Sequence, residues 1–214
     1  MRRLALAVAL AASFAATIAA GETLKTLNMS RPAEGLASLT IKAGVGDVQI
    51  EGDATGEVVV QVEVKSKGGF FFSDRESRRE AEALQIETRT SGDELSLSLG
   101  PEHHGDTRWA ERWTVRVPAA FAASVKLGVG EITVLDLDGN VKVEIGVGDV
   151  RIEGTYQSFG DVHATCGVGD VSLRTPSGRD QGEGFIAHTL SANGPGKATI
   201  RAHAGVGDVK IRLR

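Results

Sequence analysis

Gly146-Val147-Gly148-Asp149-Val150-Arg151-Ile152 is one of five copies of a phrase on which the fold turns. The others begin at Gly44, Gly128, Gly167 and Gly205, with Glu131 in place of Asp in the second. The starts lie 84, 18, 21 and 38 residues apart. A period near 20 marks stacked structural repeats, and 38 is close to two such units with a degraded copy between them. Apolar residues alternate on both sides of the phrase: Val141, Val143, Ile145 and Val147 before it, Val150 and Ile152 after it. That period of two means strands with one buried face. The parity slips across Gly-Asp, so the chain must bend or bulge there to keep both arms apolar-side inward. Val147 is expected to point into the core. Each unit is too small to bury its own face, and stacking units in parallel makes one apolar column. The expectation is an all-β chain, a single-stranded parallel β-helix (solenoid), with about five layers over residues 113–214. An antiparallel β-sandwich is the competing architecture, but it does not explain why one heptapeptide returns in one frame.

The middle of the chain breaks this rhythm and reads as a short helix-containing insertion at about residues 66–112. Val58 to Val64 alternate as a strand, Lys65 to Gly69 turn, and Phe70-Phe71-Phe72 is an apolar knot. Ser73 with Glu76 is a capping-box signal for a charged helix over Arg75–Leu84. Leu84–Thr90 and Glu94–Leu99 read as strands, Pro101–Glu111 as a polar loop, and Trp113 resumes the alternation. Arg174–Gly184 reads as a second loop, and the copy due near Gly184-Phe185-Ile186-Ala187 is eroded.

Arg2 and Arg3, the apolar run Leu4–Ile18, and Ala19, Ala20 and Gly21 form the pattern of a secretory signal peptide, residues 1–20. The mature chain is expected to be 21–214, located in the periplasm or at the cell surface. No later apolar run is long enough to span a bilayer, so it is not expected to be an integral membrane protein. Cleavage removes two arginines and no acid, leaving 22 basic against 28 acidic side chains. That acidic balance, with aromatics at 5%, argues against a nucleic-acid partner. The one cysteine, Cys166, excludes an intramolecular disulfide framework, and its inward frame reads as core.

The spaced Gly-Val-Gly-Asp-Val-x-Ile phrases, with Val115-Arg116-Val117-Pro118 leading into Val125-Lys126-Leu127-Gly128, resemble the bacterial putative-adhesin β-helix family. The resemblance covers about residues 36–214. It implies a right-handed β-helix, an exported protein, and by association a surface-binding role with an envelope protein or glycan as partner. It carries no catalytic residues across.

Candidate sites are few. Asp47, Asp149, Asp170 and Asp208, with Glu131, would stack at equivalent corners and could offer oxygen ligands to calcium. The repeat period differs from that of calcium-binding nonapeptides, and turn N–H groups are the simpler partners of these carboxylates. His103, His104 and Asp106 could ligate zinc or nickel, but neighbouring loop residues seldom reach one ion together. His163, His188 and His203 are scattered. Asp149, Asp170 and Arg151 could serve a polysaccharide-active enzyme, yet they belong to the repeat itself. Gly-x-Ser-x-Gly, phosphate-loop and His-Glu-x-x-His motifs are absent from the sequence. The reading is a non-catalytic binding or scaffold module of the cell envelope, with no cofactor. A polysaccharide-active enzyme and a calcium-dependent binder are the alternatives.

Overall fold

The computed structural model describes residues 22–67, 74–100, 109–181 and 188–214. The signal segment, Phe70 to Ser73, His103, His104, Asp106 and Gly184–Ala187 lie outside the described residues. The elements in chain order are β1 (Thr23–Pro32), β2 (Ser38–Asp53), β3 (Glu57–Ser66) and α1 (Asp74–Ala83). Then come β4 (Gln85–Ser91), β5 (Glu94–Gly100), β6 (Trp109–Pro118), β7 (Ala122–Leu135) and β8 (Val141–Gly154). The last are β9 (Phe159–Val168), β10 (Val171–Thr175), β11 (Gly178–Gln181), β12 (His188–Asn193), β13 (Ala198–Val206) and β14 (Val209–Leu213). The described residues are all-β apart from α1 and one 3₁₀ turn at Tyr156–Ser158.

The repeat phrases build five stacked rungs, each with two arms meeting at the Gly-Val-Gly corner. β2, β7 and β8 run through the corner unbroken, whereas β9–β10 and β13–β14 are interrupted just after it. Neighbouring rungs pair in parallel and in register: Val45 lies beside Val129, Val129 beside Val147, Val147 beside Val206, and Val206 beside Val168. Leu39 and Ile41 on the first arm and Val48 and Ile50 on the second join one core with their counterparts from the other rungs. Burying each such aliphatic contributes about 1.5–3 kcal/mol.

The sheet as a whole is mixed, and this corrects the expected single-stranded parallel β-helix. At one end β6 pairs in parallel with the second arm of β2, but β3 on β6 and β1 on β3 are antiparallel. On the first arm, β5 pairs in parallel with β2 and β4 runs antiparallel to β5. At the other end β12 lies antiparallel on β9 and β11 antiparallel on β10. A parallel stack leaves open ladders at both ends, and hairpins cover them with polar strands such as Gln85–Ser91. Ala81 and Leu84, at the end of α1, pack with Val64 and Trp109 in a second, smaller core.

The rungs are not stacked in sequence order. The C-terminal rung, β13–β14, sits between β8 and β9–β10, pairing in parallel with both. The 38-residue interval therefore does not hide a degraded rung in its described part. Residues 178–181 and 188–193 are antiparallel edge strands, and the chain returns past its own fourth rung to insert the fifth.

Val147 is the second correction. It is 48% exposed, and Val129, Val168 and Val206 are exposed to a similar degree. The inward frame stops at Ile145 and restarts at Val150, leaving Gly146 to Asp149 to round the convex corner. Gly148 shows why. Its φ is +131°, and a Cβ there would lie 1.7 Å from the carbonyl oxygen of Gly130 on the next rung. Glycines flank the valine because their side-chain positions are filled by the neighbouring backbone, so the valine points outward, the direction left open.

Candidate binding face

In register order the second arms present one acid per rung, Asp47, Glu131, Asp149, Asp208 and Asp170. Like charges at strand spacing, about 4.8 Å, repel, and the backbone answers part of that repulsion. The Asp208 N–H donates to Asp149 Oδ1 at 2.8 Å, and the Asp170 N–H to Asp208 Oδ1 at 3.1 Å. These carboxylates thus tie rung to rung. Two cations add to the compensation, Arg112 at 3.5 Å from Asp47 and Lys210 at 3.0 Å from Asp208, and the His188 ring lies 3.4 Å from Asp170. The Asp170 N–H and Lys210 hold the Asp208 carboxyl below its ordinary range. Asp47 is pushed up by burial, against the pull of Arg112. Among the described residues no group of three or more His, Cys, Asp or Glu is placed to hold a metal ion.

Cys166 is buried, and its Sγ–H donates to the Gly207 carbonyl at 2.8 Å. Burial pushes its thiol up, away from the thiolate a nucleophile needs. His163 Nδ1 lies 3.0 Å from Ser191 Oγ, and His203 Nδ1 2.8 Å from Thr165 Oγ1, each on a neighbouring strand.

Two arrangements were missed from sequence. Glu111 on β6 is buried, and Trp113 Nε1–H donates to it at 2.7 Å. Its carboxylate also accepts from the Gly44 N–H, at the corner where no complete further rung continues the stack. Burial outweighs these bonds and raises the Glu111 carboxyl. The second arrangement is Glu153, 6% exposed, which accepts from Arg151 Nε at 2.9 Å and also bonds Arg214, with Arg212 at 3.8 Å. Burial opposes its ionisation, but the hydrogen bonds and charges of Arg151 and Arg214 hold it below the ordinary range. The signal for this cluster lies in the column Glu153, Arg212, Arg174, which becomes visible only once β13–β14 is known to lie between β8 and β10.

The outward side of the second arms is a concave surface of about 500 Å³, lined by Gln49, Arg112, Glu131, Thr133, Arg151 and Arg212 among others. It continues into a groove of about 220 Å³ with Ser172, Arg174 and Lys210 on its walls. At the corner beside it runs the ladder of exposed valines.

No family model and no curated protein matches the chain. Among solved structures it is similar to a putative cell adhesion protein from Clostridium sporogenes, with TM-score 0.48 and 16% identity over 89% of this chain and 100% of that one. It is also similar to a putative adhesin from Bacteroides fragilis, with TM-score 0.36 and 12% identity over 87% and 97% of the two chains. A putative adhesin from Parabacteroides distasonis gives TM-score 0.29 and 9% identity over 89% and 98%. No helix among the described residues is long and apolar enough to cross a membrane.

Proposed function

We propose that the chain is an exported, adhesin-like binding or scaffold module of the bacterial cell envelope that acts by presenting a surface rather than by catalysis. Its parallel rungs are read as a short β-solenoid closed at both ends by antiparallel strands. One observation carries the reading: the corner repeats a valine and, two residues on, a carboxylate on every rung, in register from Val45 to Val168, and four of the five valines are exposed. A surface that repeats at strand spacing suits an extended partner, which meets equivalent contacts along its length. Asp47, Asp149 and Asp208 of this column are engaged in rung-to-rung bonds or ion pairs, which supports a structural role for them.

The test uses residues 21–214 on arrays of envelope glycans and in sedimentation with purified envelope fractions, together with fractionation of cells that express the full chain. Saturable binding without turnover, and an N-terminus within Ala19–Glu22 on the exported protein, are expected. Release of reducing ends from a bound polysaccharide would replace this reading with the enzyme.

A further inference from the structure

Beyond the column of acids, the second arms of β8, β14 and β10 gather arginines: Arg151, Arg212, Arg214 and Arg174. Glu153 is the shared carboxylate for Arg151, Arg212 and Arg214. Those three side chains keep 49–68% of their area exposed. Each guanidinium has five N–H donors and one carboxylate cannot occupy them all, so most point to solvent. Arg174 is in register with Arg212 and has no ion-pair partner among the described residues. Four guanidiniums thus stand on these arms with one buried carboxylate, Glu153, among them, beside the acids Asp149, Asp208 and Asp170. Lys210, neutralised by Asp208, sits in register with Arg151.

We propose that this face, around Arg151, Arg174, Lys210, Arg212 and Arg214, is the docking surface for an acidic polysaccharide gripped through its carboxylates. The inference rests on the reading of the chain as a binding module and names its ligand class. The cations stand on a rigid lattice, about 4.8 Å from strand to strand and about 7 Å between alternate residues of one strand. That lattice suits a polymer with a charge on each short repeat better than one small anion. Guanidinium pairs bidentately with carboxylate, and Glu153 pre-orders three of the four. The Ser172 hydroxyl on the groove wall is a partner for sugar hydroxyls. Both tryptophans are buried, so no indole is offered for stacking bases. Gln49, Thr133 and Ser172, which line the same surface, are polar and can meet sugar hydroxyls.

The test is calorimetric titration of residues 21–214 with polygalacturonate, with neutral dextran as control, at low and raised salt. The double variant Arg174→Ser/Arg212→Ser leaves Arg151 and Arg214 on Glu153, so the fold should keep its melting temperature. Arg201→Ser, on the first arm, is the control for loss of charge elsewhere. Salt-sensitive binding to polygalacturonate and not dextran is expected, weakened about tenfold or more by the double variant and little by Arg201→Ser. Equal binding by the double variant and the unaltered chain would overturn the inference, as would tighter binding of duplex DNA or anionic vesicles through the same arginines. Failure to bind polygalacturonate at low salt would also overturn it. In that case, saturable binding to another envelope ligand would leave the binding-module reading standing, and no binding to any envelope fraction would remove both.

Discussion

Substituting Gly148 by alanine should damage this fold far more than one methyl group suggests. The backbone there has φ +131°, a region that side-chain-bearing residues rarely enter, costing about 1–3 kcal/mol. The added Cβ would also lie 1.7 Å from the Gly130 carbonyl oxygen and 2.8 Å from its carbon. A flexible side chain could swing away, but this neighbour is backbone held in a parallel ladder on both sides. Relief requires the rungs to separate at the corner, an overpacking cost of about 1–3 kcal/mol or more. Together the loss is about 2–6 kcal/mol, a large share of the roughly 5–15 kcal/mol that holds a typical domain. Gly56→Ala is the control, since that glycine has no atom within 4 Å of the added Cβ and no positive φ. Urea titration of residues 21–214 should show a strongly reduced midpoint for Gly148→Ala and less than about 0.5 kcal/mol for Gly56→Ala. A loss below about 1 kcal/mol at Gly148 would refute the argument that steric closeness of rungs dictates the Gly-Val-Gly phrase.

The arms of each rung were legible because alternation in a strand reports burial directly: Val141, Val143 and Ile145 are buried as their spacing requires, as are Val150 and Ile152. The corner was not. Val147 continues the apolar alternation by letter, but geometry at a convex bend overrides it, and the cue was the glycine on either side rather than the valine. The helix and the β4–β5 hairpin follow from local signals and fall within a residue or two of their expected bounds. Strand β1 has no repeat phrase to announce it, and its partner β3 supplies the reason it is a strand. Rung order was invisible for a different reason. Five near-identical phrases can stack in any order that satisfies the connecting segments, and the phrase is the same wherever it sits. The Asp column was legible as a column, while its bonding to the next rung's N–H, and the Glu153 cluster, depend on which rungs are neighbours.

Val147→Ser should cost less than about 0.5 kcal/mol, whereas Val150→Asp should cost several, because the first is exposed and the second buries an unpaired charge; equal losses in urea titrations would invert the frame. Glu111→Ala orphans the Trp113 indole N–H and the Gly44 N–H, a loss of about 2–4 kcal/mol. Because burial raises the Glu111 carboxyl above its ordinary 4.5, that group's contribution is fullest below 4.5 and fades as pH rises through the raised value. The gap between the unaltered chain and Glu111→Ala should therefore widen on acidification, and a gap that narrows would contradict the burial. Calcium should leave the melting temperature unchanged, whereas a site with a dissociation constant of about 10 μM would add about 2.7 kcal/mol at 1 mM ion. Asp149→Asn keeps an oxygen for the Asp208 N–H and should cost little, and a calcium shift abolished by that variant would restore the metal reading. Ending the chain after Pro195 separates two topologies. In a solenoid stacked in sequence order the last rung is terminal, and its loss spares the layers beneath. Here the last rung is interior, and its removal takes Ile200, Ala202, Ala204, Val209, Ile211 and Leu213 out of the core and leaves one edge of each of β8, β9 and β10 unpaired. At about 1.5–3 kcal/mol for each of the four large aliphatics, the deficit is comparable to the whole stability of a typical domain. The truncated chain should lose its cooperative thermal transition and its slow-exchanging amides in β8 and β9, and a melt close to that of the unaltered protein would show that the final rung lies at the end of the stack.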